Sequence, residues 1–324
     1  MEIKKIDASI LRELFIDGRT EFVAMAKKLD VTKGTVRNRY KAMKTAGIIL
    51  GATTQVNYRK CGYGIYTTFS IEMDPKRRDR AIKSILELPG IYLAFKGTQN
   101  YFLHVGISIK NLAEIEKTKN KLSAITVADK ISSDIWIDVK NIPENLVLSG
   151  KNQIHSIEKK LADNKNTLNT KEGKLDRIDY EIIELLSING RMSFRQIALK
   201  IGKSHDTITN RYKKLVENNM LKVVIQVNPT KIGYNGWMII DLSFSSKVST
   251  SEKINEILLI PDVIHLVKIE GLFDISIMVF VKDLEHLFEI QEKISKIENL
   301  SKINIQNLRL PESWPFPKQH KSTF

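Results

Sequence analysis

Apolar residues recur at helical spacing in three segments near the start of the chain, and three matching segments return in its second half. The first contains Ile6, Ile10, Leu11 and Leu14, with Asp7 as its predicted N-cap. It stops at Asp17-Gly18, since glycine can adopt the left-handed conformation that ends a helix. The second covers 22–29, and the third begins immediately after Thr32. Three helices with a short connection before the last predict a helix-turn-helix.

The chain aligns with itself after a shift of 172 positions. Fifteen of the 42 residues over 6–47 are identical to their counterparts over 178–219. Among them, the run Asn38-Arg39-Tyr40-Lys41 returns as Asn210-Arg211-Tyr212-Lys213. We therefore predict a tandem duplication whose copies are joined by the polar, lysine- and asparagine-rich segment 143–175.

Downstream of the helices, each copy alternates between strand and helix patterns. The first copy predicts strands at 65–73, 91–96, 101–107 and 131–139, with helices at 78–88 and 112–122. The second predicts strands at 237–244, 263–270, 275–281 and 302–308, with helices at 251–259 and 284–294. The order βαββαβ is typical of a ferredoxin-like sandwich, and its free sheet face is expected to pair with another surface. The fold class is α+β, with a winged helix-turn-helix before each sandwich. The predicted domains run over 1–60, 61–142, the linker 143–175, 176–232, 233–314 and a tail over 315–324.

The charge balance points to a polyanionic partner. The chain has 51 Lys and Arg against 37 Asp and Glu, a formal net charge of +14. Such an excess also suits a solubilising surface, so a binding motif has to decide between the two. The single cysteine, Cys61, excludes a disulfide framework and a multi-thiolate metal site. We expect a cytoplasmic protein without a membrane partner, because no stretch has the length and apolarity of a membrane span.

The third helix of each copy carries polar and basic residues opposite its apolar stripe. In the first copy, Asn38 and Lys41 point outward, with Arg37 and Arg39 on the flanks. Arginine and lysine contact phosphates or guanine edges, and asparagine pairs with adenine, which is the chemistry of major-groove recognition. A solvated helix face is the alternative, but the Asn-Arg-Tyr-Lys run occurs in both copies and favours DNA.

Together these motifs resemble the Lrp/AsnC family of regulators. The resemblance is carried by Ile6-Asp7, Asp17-Gly18-Arg19, Thr32, Thr35-Val36, Arg39-Tyr40 and Ala46-Gly47-Ile48-Ile49, and in the second copy by Asn189-Gly190-Arg191, Ser204, Thr207-Ile208, Arg211-Tyr212 and Asn219-Met220-Leu221. It implies a winged helix-turn-helix whose third helix enters the major groove of double-stranded DNA. The DNA-contact candidates are then Thr32, Lys33, Thr35, Arg37, Asn38, Arg39 and Lys41, and Ser204, His205, Thr207, Thr209, Asn210, Arg211 and Lys213.

The resemblance also implies that the sandwich binds a small-molecule effector, often an amino acid, and mediates oligomerisation. With both copies in one chain, we expect an intramolecular pseudo-dimer that assembles further. The implied effector residues lie in two turns, Gly97-Thr98-Gln99-Asn100 and Gly271-Leu272-Phe273-Asp274. Both turns depart from the family pattern Gly-Asp-x-Asp, and their glycines fit a plain turn between strands better than an effector site.

No motif of catalysis or metal binding stands out. The six histidines are scattered, without His-x-x-x-His or His-Glu-x-x-His spacing, and no phosphate-binding loop occurs. We therefore expect no metal, no cofactor and no enzymatic activity. A sirohaem decarboxylase, which shares this layout, and a sequence-tolerant architectural DNA binder are the alternatives. Lys33-Gly34 stands where the second copy has His205-Asp206, which predicts an asymmetric DNA target.

Overall fold

A computed structural model of the chain describes residues 2–57, 64–88, 90–97, 102–142, 145–146, 148, 175–245 and 250–315. Several sequence predictions concern positions outside the described residues: nearly all of the linker, Cys61, the tail beyond 315, and the turn residues Thr98, Gln99 and Asn100.

The first helical domain consists of α1 (Lys5–Ile16), α2 (Phe22–Lys28), α3 (Lys33–Thr45) and strand β1 (Ile49–Val56). Thr32 caps α3 as predicted, because its hydroxyl accepts a hydrogen bond from the amide of Thr35 at 3.0 Å. The predicted N-cap Asp7 is wrong, since α1 begins at Lys5. Asp7 lies inside the first turn, fully buried, and accepts a hydrogen bond from the amide of Lys4 at 2.9 Å. A carboxylate there satisfies a free amide of the helix start from within the helix.

The second helical domain repeats this arrangement with α6 (Arg177–Ile188), α7 (Phe194–Ile201), α8 (His205–Glu217) and β6 (Leu221–Val227). Ser204 caps α8 by accepting a hydrogen bond from the amide of Thr207 at 3.1 Å. The core of the domain contains Ile182, Leu186, Ile197, Ile208 and Leu215.

Each copy then forms a ferredoxin-like sandwich. The first contains β2 (Ile65–Glu72), α4 (Arg78–Ile85), β3 (Ile91–Lys96), β4 (Phe102–Ile109), α5 (Ala113–Thr126) and β5 (Lys130–Asn141). The second contains β7 (Gly236–Phe244), α9 (Thr250–Leu258), β8 (Val263–Glu270), β9 (Ile275–Val281), α10 (Leu284–Ser295) and β10 (Leu300–Leu308). The strand orders β5-β2-β4-β3 and β10-β7-β9-β8 confirm the predicted fold class.

The two copies pair through two sets of strands. Strands β1 and β6 form an antiparallel ribbon between the helical domains. Strands β5 and β8 pair antiparallel, which joins both sandwiches in one sheet ordered β10-β7-β9-β8-β5-β2-β4-β3. The halves of this sheet also face each other, because His104 Nε2 lies 2.7 Å from Gln306 Oε1 and the ring centroids of Phe95 and Trp237 are 5.8 Å apart. The free sheet faces therefore cover one another within one chain.

The C-terminal strands of the two copies end differently. In the first copy, Val139 of β5 pairs with β8. The residue of the second copy that corresponds to Val139 is Pro311, which lies just after β10 and has no amide hydrogen for pairing with another strand. The chain leaves the sheet there, and Trp314 forms a β-bridge with Val227 of β6. The buried indole packs 5.6 Å from the ring of Phe15 in α1. This segment thus connects the first helical domain to the second sandwich.

Candidate nucleic-acid interface

Helix α3 presents a basic polar face to solvent. Val36 and Met43 are buried on its inner side, as the apolar pattern predicts. The side chains of Lys33, Arg37, Asn38 and Lys41 are exposed on the outer side. All four were singled out from the sequence, and each carries a donor suited to phosphates or base edges.

Helix α8 presents the equivalent face with a different charge. Ile208 and Leu215 are buried, whereas His205, Asp206, Asn210 and Lys213 are exposed. The acidic Asp206 is near the helix N-terminus, where a carboxylate is stabilised by the helix dipole and disfavours a nearby phosphate. The two outer faces therefore share a polar framework and differ in local charge.

The predicted hydroxyl contacts lie at the helix starts and hold them in place. Thr32 and Thr35 are joined through their hydroxyls at 3.0 Å, and Ser204 and Thr207 are joined at 2.8 Å. Thr209 donates its hydroxyl hydrogen to the carbonyl of His205 at 2.9 Å. These bonds define the N-terminal turn of each helix, the end that enters the groove in helix-turn-helix proteins.

The structure gives Arg39 and Arg211 a role inside the protein. Arg39 donates to both carboxylate oxygens of the buried Asp7, with Nε to Oδ1 at 2.7 Å. Arg211 donates to Asp176 at 2.6 Å and to Asp179 at 3.0 Å. The hydrogen bond to Arg211 lowers the pKa of Asp176, and that to Asp7 raises the pKa of Arg39. These guanidinium groups fasten the third helix of each domain to its first helix, so we remove both from the contact candidates.

The helical domains are held together by a reciprocal set of contacts that sequence reasoning missed. We name Gly18, Arg19, Gly190 and Arg191 the glycine-arginine clasp. The amide of Gly18 donates to the carbonyl of Val223 at 2.8 Å, and the amide of Gly190 donates to the carbonyl of Ala52 at 2.7 Å. A side chain at either glycine would collide with the opposite copy, since a Cβ at Gly18 would lie 2.8 Å from the carbonyl carbon of Val224.

Each arginine of the clasp reaches from its own helical domain to the other one. Arg19 donates from Nη1 to the carbonyls of Gly190 at 2.7 Å and Met192 at 3.0 Å, and its guanidinium lies 4.4 Å from the ring centroid of Phe194. Arg191 donates to the carbonyl of Thr20 at 2.8 Å and lies 5.2 Å from the ring of Phe22. The sequence signal was present, because a Gly-Arg pair follows the first helix in both copies, but it suggested only a turn.

The predicted effector turns make protein contacts where the structure describes them. The carbonyl of Gly97 accepts a hydrogen bond from Arg78 at 3.1 Å. In the second turn, the amide of Leu272 lies 3.3 Å from Asp134 Oδ1 of the first sandwich, and Gly271 leaves no room for a side chain beside that carboxylate. Asp274 accepts a hydrogen bond from the amide of Phe244 at 2.7 Å. Effector binding at these turns stays a prediction.

Titratable groups meet where the halves of the large sheet face each other. Burial lowers the pKa of His104 to about 4, so its ring is neutral near pH 7, between Ser70 at 3.0 Å and Gln306. Burial raises the pKa of Asp134 and of Asp241, and the neighbouring Asp241 charge raises that of Asp134 further. Asp241 accepts hydrogen bonds from two side chains of its own sandwich. Within the described ranges, no group of three or more His, Cys, Asp or Glu is placed to hold a metal ion.

Both helical domains are similar to a known DNA-binding domain. Residues 4–44 and 175–216 match the AsnC-type helix-turn-helix domain. The transcriptional regulator Ptr1 of Methanocaldococcus jannaschii is 32% identical over 130 residues, which are 39% of this chain and 86% of Ptr1. The regulatory protein AsnC of Haemophilus influenzae is 30% identical over 141 residues, 43% of this chain and 93% of that protein. Each relative corresponds to less than half of this chain, as a duplication predicts.

A solved structure has the same architecture over nearly the whole chain. The sirohaem decarboxylase NirDL matches with a TM-score of 0.62 at 13% identity, covering 94% of this chain and 90% of that one, which establishes a shared fold. The match of both helical domains to the AsnC-type helix-turn-helix domain, together with the regulator relatives, defines a DNA-binding transcriptional regulator of the helix-turn-helix class. The chain belongs to the Lrp/AsnC family, in a tandem duplicated form. No helix in the part of the chain described is long and apolar enough to cross a membrane.

Proposed function

We propose that one chain binds two DNA half-sites at once, with α3 in one major groove and α8 in the next. The observation that carries this proposal is the paired arrangement of the helical domains. The β1–β6 ribbon and the glycine-arginine clasp join both domains without a second chain. A fixed relation between recognition helices is how dimeric helix-turn-helix proteins set their half-site spacing.

The proposed base contacts come from the centre of each outer face. Asn38 and Asn210 occupy equivalent exposed positions, and an asparagine amide pairs bidentately with adenine. Lys33, Arg37 and Lys41 on α3 supply contacts to phosphates or guanine, and Lys213 is the basic counterpart on α8. The capping hydroxyls of Thr32 and Ser204 position these side chains.

The proposed target is asymmetric. Helix α3 begins with Lys33, whereas α8 begins with His205 and Asp206. Lys33 attracts phosphate, and Asp206 repels it or accepts a hydrogen bond from cytosine N4. The two half-sites would be identical only if the outer faces of α3 and α8 were identical. We therefore expect that selection of bound DNA sequences returns two different half-sites.

A tetrapyrrole enzyme is the second candidate, supported by the architecture shared with NirDL. The helix-turn-helix match and the named regulators among the relatives favour the regulator. An amino-acid effector and further assembly of the chain stay proposals that rest on the family resemblance.

The proposal is tested by binding the purified chain to a pool of genomic DNA fragments at two salt concentrations, with sequencing of the bound fraction. Enrichment of a few fragments, with affinity that falls steeply as salt rises, is the expected result. Asn38→Ala with Lys41→Ala should weaken binding about tenfold or more. Lys117→Ala, at an exposed lysine of the first sandwich, is the control and should change little.

Two outcomes would contradict this function. Uniform binding without enrichment would identify an architectural DNA binder. Failure to bind any fragment, together with a tetrapyrrole band in the visible absorbance of the preparation, would favour the enzyme.

A further inference from the structure

Two arginines from different copies lie close together between the helical domains. Arg19 follows α1 and Arg191 follows α6, and each crosses to the opposite domain. Burial lowers the pKa of Arg19, and the positive charge of Arg191 lowers it further, against the opposing effect of Tyr212. Like charges held together repel one another, so an anion placed beside them would be stabilised by both.

The protein occupies only part of the hydrogen-bonding capacity of these arginines. Arg19 donates from Nη1 alone, and Arg191 donates from Nη2 alone. Among the described residues, the other N–H groups of both side chains have no hydrogen-bond acceptor. A guanidinium presents a planar fork of donors that suits a phosphate, and this fork is only partly used here.

An open cavity of about 340 Å³ lies beside the pair. It is many times larger than the roughly 10–15 Å³ that a cavity needs to hold one water molecule, so it has room for a phosphate group. Its lining contains three cationic side chains and one carboxylate, a balance that favours an anion. The lining residues are Arg19, Thr20, Glu21, Phe22, Val23, Lys33 and Arg191.

The cavity lies beside the end of the recognition helix that enters DNA. Lys33 is the first residue of α3, and the first residues of a recognition helix are those nearest the bases and the flanking phosphates. Arg191, which also lines the cavity, comes from the other domain. The cavity is therefore at the junction of the two helical domains, next to the helix end that would enter the groove in the proposed function.

We propose that this cavity binds one backbone phosphate of the DNA between the half-sites, with Arg19, Arg191 and Lys33 as its ligands. This inference rests on the proposed function and adds a phosphate site to it. Glu21 weakens the site, because its carboxylate repels the phosphate. The glycine-arginine clasp then has two tasks, since it joins the helical domains and its arginines contact the DNA that they span.

A purely structural clasp makes a different prediction. In that case the arginines only connect the domains, and any change that loosens the clasp should have the same effect on DNA binding. Gly18→Ala supplies the comparison, because its Cβ would press on Val224 of β6 while the chain keeps every cationic residue of the cavity. Arg191→Gln removes one cation from the cavity and also weakens the clasp.

The experiment neutralises one phosphate at a time. Duplexes recovered from the genomic selection are made with a single methylphosphonate at successive positions between the half-sites, and each is titrated with the full chain by fluorescence anisotropy. The wild type should lose about tenfold in affinity at one of these positions, the loss expected for a charge-assisted hydrogen bond. Arg191→Gln should bind the unmodified duplex more weakly and be insensitive to that substitution. Gly18→Ala should bind more weakly but keep the sensitivity.

Glu21→Gln gives a test that does not disturb the clasp. Removing the carboxylate should tighten binding severalfold at low salt, and the gain should vanish on the duplex with the sensitive phosphate neutralised. Equal sensitivity in the wild type and in Arg191→Gln, or no sensitive phosphate between the half-sites, would overturn the inference while leaving the two-half-site function intact. If the wild type binds no fragment at all, the proposed function fails and this site fails with it.

Discussion

The guanidinium of Arg39 on the recognition helix is bound by the carboxylate of Asp7 on α1, whose side chain is completely buried. An exposed arginine on this helix would be a DNA contact, but this one sets the position of the helix. The distinction matters because Arg37, two residues earlier, is exposed and free to meet DNA. Two arginines close together on α3 thus have different roles, one in positioning the helix and one in the proposed DNA contact.

Arg39→Ala should lower the free energy of unfolding by about 3 kcal/mol, because it leaves the Asp7 carboxylate buried without its cation. Arg37→Ala should change the free energy of unfolding by less than about 0.5 kcal/mol and weaken DNA binding instead. Urea unfolding monitored by circular dichroism, paired with anisotropy titrations, measures both quantities. A stable Arg39→Ala protein with impaired DNA binding would contradict the positioning role.

Gly190→Ala should destabilise the contact between the helical domains. The added Cβ would lie 2.8 Å from Val223 Cγ1 and 2.9 Å from the carbonyl carbon of Ala52, distances at which atoms must move. We expect a loss of about 1–3 kcal/mol in the free energy of unfolding. Gly34→Ala is the control, since a Cβ there meets only Thr32 Oγ1 at 3.5 Å, and alanine in a helix should stabilise by about 0.5–1 kcal/mol. Equal effects of the two substitutions would show that the tight approach is unimportant.

Trp314→Ala should cost about 3–5 kcal/mol in unfolding free energy, as expected for removing a large buried aromatic ring. The indole is 6% exposed and packs against Phe15 of α1 and Phe280 of β9. Phe288→Ala, at a ring that is 63% exposed, is the matched control and should have little effect. Thermal unfolding of both variants, compared with the wild type, decides whether the C-terminal segment holds the first helical domain on the second sandwich.

Acid should destabilise the protein through its buried histidines. The pKa of His104 and of His265 is lowered from 6.5 to about 4 by burial. Between pH 4 and pH 6.5, the histidines of the unfolded chain bind protons that those of the folded protein do not bind. The free energy of unfolding therefore decreases as the pH falls from 6.5 to 4. Each histidine contributes about 3 kcal/mol to this decrease. The raised pKa of Asp134 and of Asp241 acts in the opposite sense, because the folded protein takes up those protons first.

His104→Gln should flatten this pH dependence by about 3 kcal/mol, since an amide in the same place does not titrate. Urea midpoints at pH 7 and pH 4.5 for the wild type and the variant give the difference. A profile identical in the wild type and in His104→Gln would contradict the burial of a neutral His104 ring.

The fold was predictable because its elements depend on local patterns that occur twice. Apolar spacing defined the three helices of each domain, and alternation defined the strands. The strand partners across copies were not predictable, since the pattern in β5 shows which residues are buried but not that β8 is the neighbouring strand. The early end of β10 has a visible cause in Pro311, which the shift of 172 aligns with Val139, but only the structure shows that Val139 pairs with β8.

The sequence predicted the exposed face of the candidate site, but not the arginine contacts that hold its helices in position. A helical wheel places Asn38 and Lys41 outward, and they are exposed. It places Arg39 on a flank, where solvent and a buried partner are equally compatible with the pattern. Arg19 lies outside the recognition helix altogether, and its contact with Gly190 joins residues that are far apart in the sequence. Long-range contacts of this kind leave no periodic signal.

The β1–β6 ribbon has a consequence for how the regulator responds to its own abundance. In a protein assembled from separate chains, dilution dissociates the pair and leaves single helical domains that bind DNA poorly. Here both domains belong to one polypeptide, so their local concentration is set by the chain and not by the number of molecules in the cell. The two helical domains should therefore stay paired even when few molecules are present. The two domains are also free to diverge, because a substitution in one is not repeated in the other.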